Sequence, residues 1–205
     1  MISRKLQYTI YNNYNTSTTA SRRISMEEKV IQLDLKKIGW LSLLMTIVPL
    51  LLGFLFLGLT ESGVSGSFSL WSITTFIVVY FLLIVLHEAV HLVAFRFIGK
   101  VPWSSLDYGI NWKLGVAYAT TSQSIANRPL QGVLIAPLIV TGLLPFVYGV
   151  FFASPFWLIS GCFLIGGAAG DVAMIKALRG YPANALVRDD PNLPKLYVQL
   201  EKRPH

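Results

Sequence analysis

Four apolar runs, residues 39–59, 70–98, 129–152 and 156–178, limit what this chain can fold into more than any other feature. Each is long enough to cross roughly 30 Å of hydrocarbon at about 1.5 Å per helical residue, and a backbone inside lipid must satisfy its own hydrogen bonds. The expected fold class is an all-α membrane protein with about four transmembrane helices. Composition agrees, since 54% hydrophobic residues, 13% charged residues and a mean hydropathy of +0.57 lie outside the soluble range. The first run follows 38 mostly polar residues and lacks the short format of a cleaved signal peptide. The single cysteine, Cys162, excludes an intrachain disulfide.

Charge placement sets the expected orientation. Of seventeen Lys and Arg residues, seven precede the first run, four lie from Arg96 to Arg128, and six from Lys176 to Arg203. The connections 60–69 and 153–155 carry none. The positive-inside rule then makes both termini and the middle segment cytoplasmic, in a multi-pass protein of the cell (plasma) membrane. The net charge of +7 reads as topology and attraction to an anionic lipid bilayer, and requires no nucleic-acid partner.

Residues 1–25 contain no acidic side chain and too little apolar area to offset ordering, the profile of a disordered tail. A transit peptide has similar chemistry, and so does a start placed too early, with Met26 as the initiator. Residues 26–180 form one membrane domain, and 181–205 a polar, proline-punctuated cytoplasmic tail with one short strand near 196–200. In "KVIQLDLKK", Ile31, Leu33 and Leu35 alternate with polar residues, as in a half-buried strand, although an amphipathic helix fits nine residues too. Segment 101–128 is too polar to span. It reads either as an aromatic interfacial loop or as a hairpin of 106–110 and 113–120 around an Asn-Trp turn. Pro137 and Pro145 are placed to kink or break the third run.

The second run holds a polar exception, "LLIVLHEAVHLVAF". His87 and His91, four apart, fall on one helix face one turn apart, so both imidazoles can hold one cation. Glu88 projects about 100° further round, within reach of a water there. Neutral imidazoles suit Zn²⁺, and a carboxylate can take a proton from water. A five-residue string of this kind also arises by chance. Its setting argues otherwise, because each ionisable group near mid-bilayer costs about 2.5 to 3.5 kcal/mol and three together demand a partner.

A catalytic zinc site wants a third protein ligand and an open position. Of ten acidic residues, eight lie in tails or loops, Glu88 belongs to the motif, and Asp171 in "LIGGAAGDVAMIK" remains. His91 and Asp171 each stand seven residues before the end of their runs, about 10 Å from the cytoplasmic side. The stretch from Gly166 to Gly170 would let this helix approach the second run closely, with Gly167 and Ala168 on the aspartate's face. The competing reading is a small-residue packing motif whose aspartate pairs with Lys176 or Arg96.

His87-Glu88-Ala89-Val90-His91 in a membrane helix, the Trp/Tyr-rich segment after it, "LIAPLIV", "GGAAGDV" and "ALVRDDP" together resemble the bacterial "putative zincin peptidase" family, over roughly residues 28–200. That family is similar in turn to the site-2 protease clan of intramembrane metalloproteases. The resemblance implies one zinc ion per chain held by His87, His91 and Asp171, with Glu88 as general base in peptide-bond hydrolysis. Here the aspartate follows Gly170, without the Asn-Pro context and following glycine typical of the clan. The expected substrate is a membrane or membrane-proximal protein or peptide, reached by water through segment 104–128. Two other classes also fit: a metal-permeation site of a transporter, and a scaffold in which zinc only clamps helices. Manganese, iron or cobalt would bind the same ligands with different affinity. His205, Asp189 and Asp190 read as solvated or structural.

Overall fold

The computed structural model describes residues 26–60, 69–112, 116–190 and 195–201. The expected tail 1–25, His205 and the hairpin tip at 113–115 lie outside these residues. Among the described residues three helices are long and apolar enough to cross a membrane: α1 (Leu35–Leu59), α2 (Leu70–Phe97) and the stretch Asn127–Phe151. The pair α5 (Pro155–Gly167) and α6 (Ala169–Leu178), bent by 40° at their junction, is together long and apolar enough to make a fourth. The fold is thus mostly helical and compatible with a multi-pass membrane protein.

Local chemistry explains the helix boundaries. Asp34 caps α1 by accepting hydrogen bonds from the amides of Lys36 and Lys37 at 3.0 and 3.3 Å. This starts the helix four residues before the apolar run, and the cap stands in place of the strand expected to continue to Leu35. Those amides, Lys37's foremost, hold the Asp34 carboxyl below its usual pKa. Ser69 and Ser72 form a reciprocal capping box at the start of α2. The third span breaks as its prolines foretell. It begins as α3 (Asn127–Pro137), widens into a π-helical turn at Leu138–Leu143, and resumes as α4 (Leu144–Phe151).

At the end of the bundle where α1 begins and α6 finishes, β1 (Met26–Gln32), β4 (Ile125–Ala126), β5 (Leu186–Asp189) and β6 (Lys195–Glu201) form an antiparallel sheet in the order β1-β6-β5-β4. Ile31 follows the expected alternation by packing against the core beneath this sheet. The hairpin is real: β2 (Leu106–Asn111) pairs with β3 (Val116–Thr121). Its turn is longer than the expected Asn-Trp pair, because Asn111 pairs with Val116. β3 packs on α2.

Two apolar clusters organise the interior. One joins Phe95 of α2, Val133 and Leu134 of α3, Leu178 of α6, and Val187, Leu196 and Val198 of the sheet. The other joins Leu57, Leu158 and Cys162 toward the opposite end. Much of α1 stays exposed, including Trp40, Leu44, Leu51 and Leu55, as a lipid-facing helix requires.

The glycine-rich stretch works differently from expectation. A Cβ on Gly166 would collide with Thr46 Oγ1 and lie 3.0 Å from the Ser42 carbonyl, so the close approach is to α1. Gly167 and Gly170 face open space. The small residues therefore seat α5 against α1, while α6 reaches the second helix through its aspartate. The chain also does not run straight here: Ala168, with φ −74° and ψ 7°, ends α5 and caps α6.

Candidate metal centre

His87 and His91 are buried on one face of α2, with ring centroids 5.2 Å apart. Asp171 sits in the first turn of α6, where the helix dipole favours a negative charge. Its two carboxylate oxygens divide between the imidazoles: Oδ2 is 3.6 Å from His87 Nε2 and Oδ1 is 3.4 Å from His91 Nε2. One ligand atom from each residue lies within 4.8 Å of the others. Two ligands about 2.05 Å from a common tetrahedral zinc stand about 3.3 Å apart, so the carboxylate–imidazole spacings fit such an ion. The donor set, two nitrogens and one oxygen with no fourth protein ligand in the group among the described residues, matches a catalytic site with an open position better than a closed structural one.

Asp171 is thus turned inward against both histidines, and no ion pair joins it to Lys176 or Arg96 among the described residues. Glu88 is half-buried and within electrostatic range of His91, His87 and Asp171. Its carboxylate makes no hydrogen bond or ion pair among the described residues.

Two residues that sequence reasoning passed over support this geometry. Thr141, fully buried in the π-helical turn, places Oγ1 3.0 Å from His87 Nδ1. A lone polar residue between Pro137 and Pro145 was the available signal. Asn127, 1% exposed, opens α3 and donates its amide to the carbonyls of Leu178, Tyr181 and Pro182 at the end of α6. Polar groups at a span boundary are common, so nothing in the sequence set this one apart.

A cavity of about 530 Å³ opens between the hairpin and β5–β6, lined by Asp107, Thr120, Arg188 and Asp189 among others. Asp189 is half-buried there, accepting from Thr120 Oγ1 at 3.4 Å and from the Asp190 amide at 2.9 Å. Burial pushes its carboxyl up to about 6, against the hydrogen bonds from the Asp190 amide and Thr120 and with a smaller contribution from the negative charge of Asp190.

A family described as "Putative zincin peptidase" matches residues 80–186, just over half of the chain, from the middle of α2, about two helical turns before the HEAVH motif, to the start of β5. The chain belongs to this family. Membership makes it a zinc-metallopeptidase relative, and the family's segment contains both histidines, Glu88, Thr141 and Asp171. An uncharacterized 24.7 kDa protein of Pyrococcus woesei, encoded in the gap 5' region, is 26% identical over 117 residues. That stretch covers 56% of this chain and 50% of the Pyrococcus protein, so the chain spans about half the length of the curated relative it matches. No solved structure matches.

Proposed function

We propose that this protein is an intramembrane zinc peptidase of site-2 protease type, cleaving membrane or membrane-proximal protein substrates in the plasma membrane. The observation that carries the reading is the triangle of His87, His91 and Asp171, two buried imidazoles and a half-buried carboxylate converging from α2 and α6, with the Glu88 carboxylate beside them.

His87, His91 and Asp171 would hold one zinc ion. When bound, zinc polarises a carbonyl oxygen and lowers the pKa of a water to about 7. Glu88 accepts the proton of the attacking water and returns it to the leaving amine, which its half-buried, otherwise unengaged carboxylate is free to do. Basic residues flanking the spans make the sheet and hairpin end cytoplasmic, so both termini are cytoplasmic and water enters from that side through the cavity beside Asp189. The outer edge of β3 offers backbone groups on which a substrate could unwind as an added strand. A proline at one of the outward amides of β3 would test this: cleavage unchanged with zinc retained removes that role.

Metal analysis and cleavage assays on Glu88→Gln and Asp171→Asn test the whole reading. A peptidase keeps its zinc and loses hydrolysis in the first and loses metal affinity in the second. Biological activity surviving Glu88→Gln would instead identify a zinc-clamped scaffold, and metal flux in proteoliposomes a transporter.

A further inference from the structure

We infer that Thr141 is a positioning residue that fixes the tautomer of His87, presenting Nε2 unprotonated toward the metal centre. The inference rests on the reading of His87 as a metal ligand and identifies what prepares it for that task.

The argument turns on one proton. Thr141 Oγ1 lies 2.8 Å from the Pro137 carbonyl, which can only accept, so the hydroxyl proton is committed there. The same oxygen lies 3.0 Å from His87 Nδ1 and has only lone pairs left to offer it. His87 Nδ1 must therefore carry a proton and donate. In a neutral imidazole this leaves Nε2 as the lone-pair atom, and Nε2 is the nitrogen that faces Asp171 at 3.6 Å. The opposite tautomer would set two lone pairs against each other in a fully buried place and turn an N–H toward the cation.

The local backbone explains why a threonine can do this. Pro137 interrupts the ladder of α3, and the chain continues as a π-helical turn, in which the Leu144 amide reaches back to Ile139. The wider turn carries Thr141 to α2, and its hydroxyl bonds back to the carbonyl four residues earlier. Partners of this kind set ligand orientation and basicity in metal sites, and their loss weakens metal binding roughly 10- to 100-fold.

Nitrogen NMR of ¹⁵N-histidine-labelled protein in detergent tests the tautomer directly, with the His87 signal identified by its absence from His87→Gln. In metal-free wild-type protein at a pH where imidazoles are neutral, His87 should show a protonated Nδ1 and a bare Nε2. A bare Nδ1 overturns the inference. In parallel, zinc affinity measured by chelator competition should fall roughly 10- to 100-fold in Thr141→Val and stay within about threefold in Thr141→Ser, which keeps the hydroxyl. Equal affinity of Thr141→Val and wild type also overturns it. Should wild-type protein take up no zinc, the functional proposal fails, while the metal-free spectrum still decides the tautomer.

Discussion

The side-chain amide of Asn127, the first residue of α3, donates to the carbonyl of Leu178, the last residue of α6, at 3.0 Å. Helix ends leave carbonyls unsatisfied, and here another helix supplies the donor. The same amide serves Tyr181 and Pro182, so it fixes how far α6 stands from α3 and therefore where Asp171 is held. Asn127→Ala should cost about 2 to 3 kcal/mol, because buried carbonyls lose their donor. It should also lower zinc affinity, although Asn127 is not among the ligands. Denaturation in detergent and chelator titration of the same preparation measure both effects.

Glu88→Gln keeps shape and hydrogen bonding but cannot take a proton. Cleavage should fall by at least about 100-fold, the usual contribution of a general base, with bound zinc unchanged. Metal content by mass spectrometry beside a cleavage assay separates this from Asp171→Asn, in which metal loss comes first.

Gly166 and its neighbour Gly167 should respond oppositely to alanine. In Gly166→Ala the new methyl meets Thr46 and the Ser42 carbonyl, an overpacking that costs about 1 to 3 kcal/mol. In Gly167→Ala the methyl enters open space and the helix gains about 0.5 to 1 kcal/mol from alanine's lower backbone entropy. Parallel melting curves in one detergent decide the matter.

Asp189 gives the fold a pH dependence. Its folded pKa, about 6, lies above the usual value because burial disfavours the charged form. The folded state therefore binds the proton more tightly, and this contribution to stability is complete below the unfolded pKa and is lost as pH rises through about 6. Asp189→Asn should remove that slope. Its melting temperature should exceed wild type near pH 7, with the gap closing toward pH 4.

The meeting of the three donors was legible in the sequence because it follows from few facts. Helical spacing puts His87 and His91 together, and an apolar chain left only Asp171 to join them. The hairpin was one of two readings of an aromatic-rich segment, and the short strand near 196–200 was expected within the polar C-terminal tail. The sheet that unites β1 with β6 was not, since its partners lie more than 160 positions apart and pair through backbone groups that every residue carries. Nor was the partner of Gly166: small residues announce a close approach without saying to which helix. The bend at Ala168 escaped for a related reason, since "GGAAG" is as compatible with a packed helix as with a broken one.

The division of the donor set between α2 and α6 has a consequence for how the protein comes into being. The ribosome completes the two imidazoles about eighty residues before it reaches Asp171. A chain still under synthesis therefore has two of the three donors, and the carboxylate arrives only with α6. β1, translated before α1, must wait longer still for β6. Until α6 is made, the nascent chain lacks one of the three donors that the finished fold brings together.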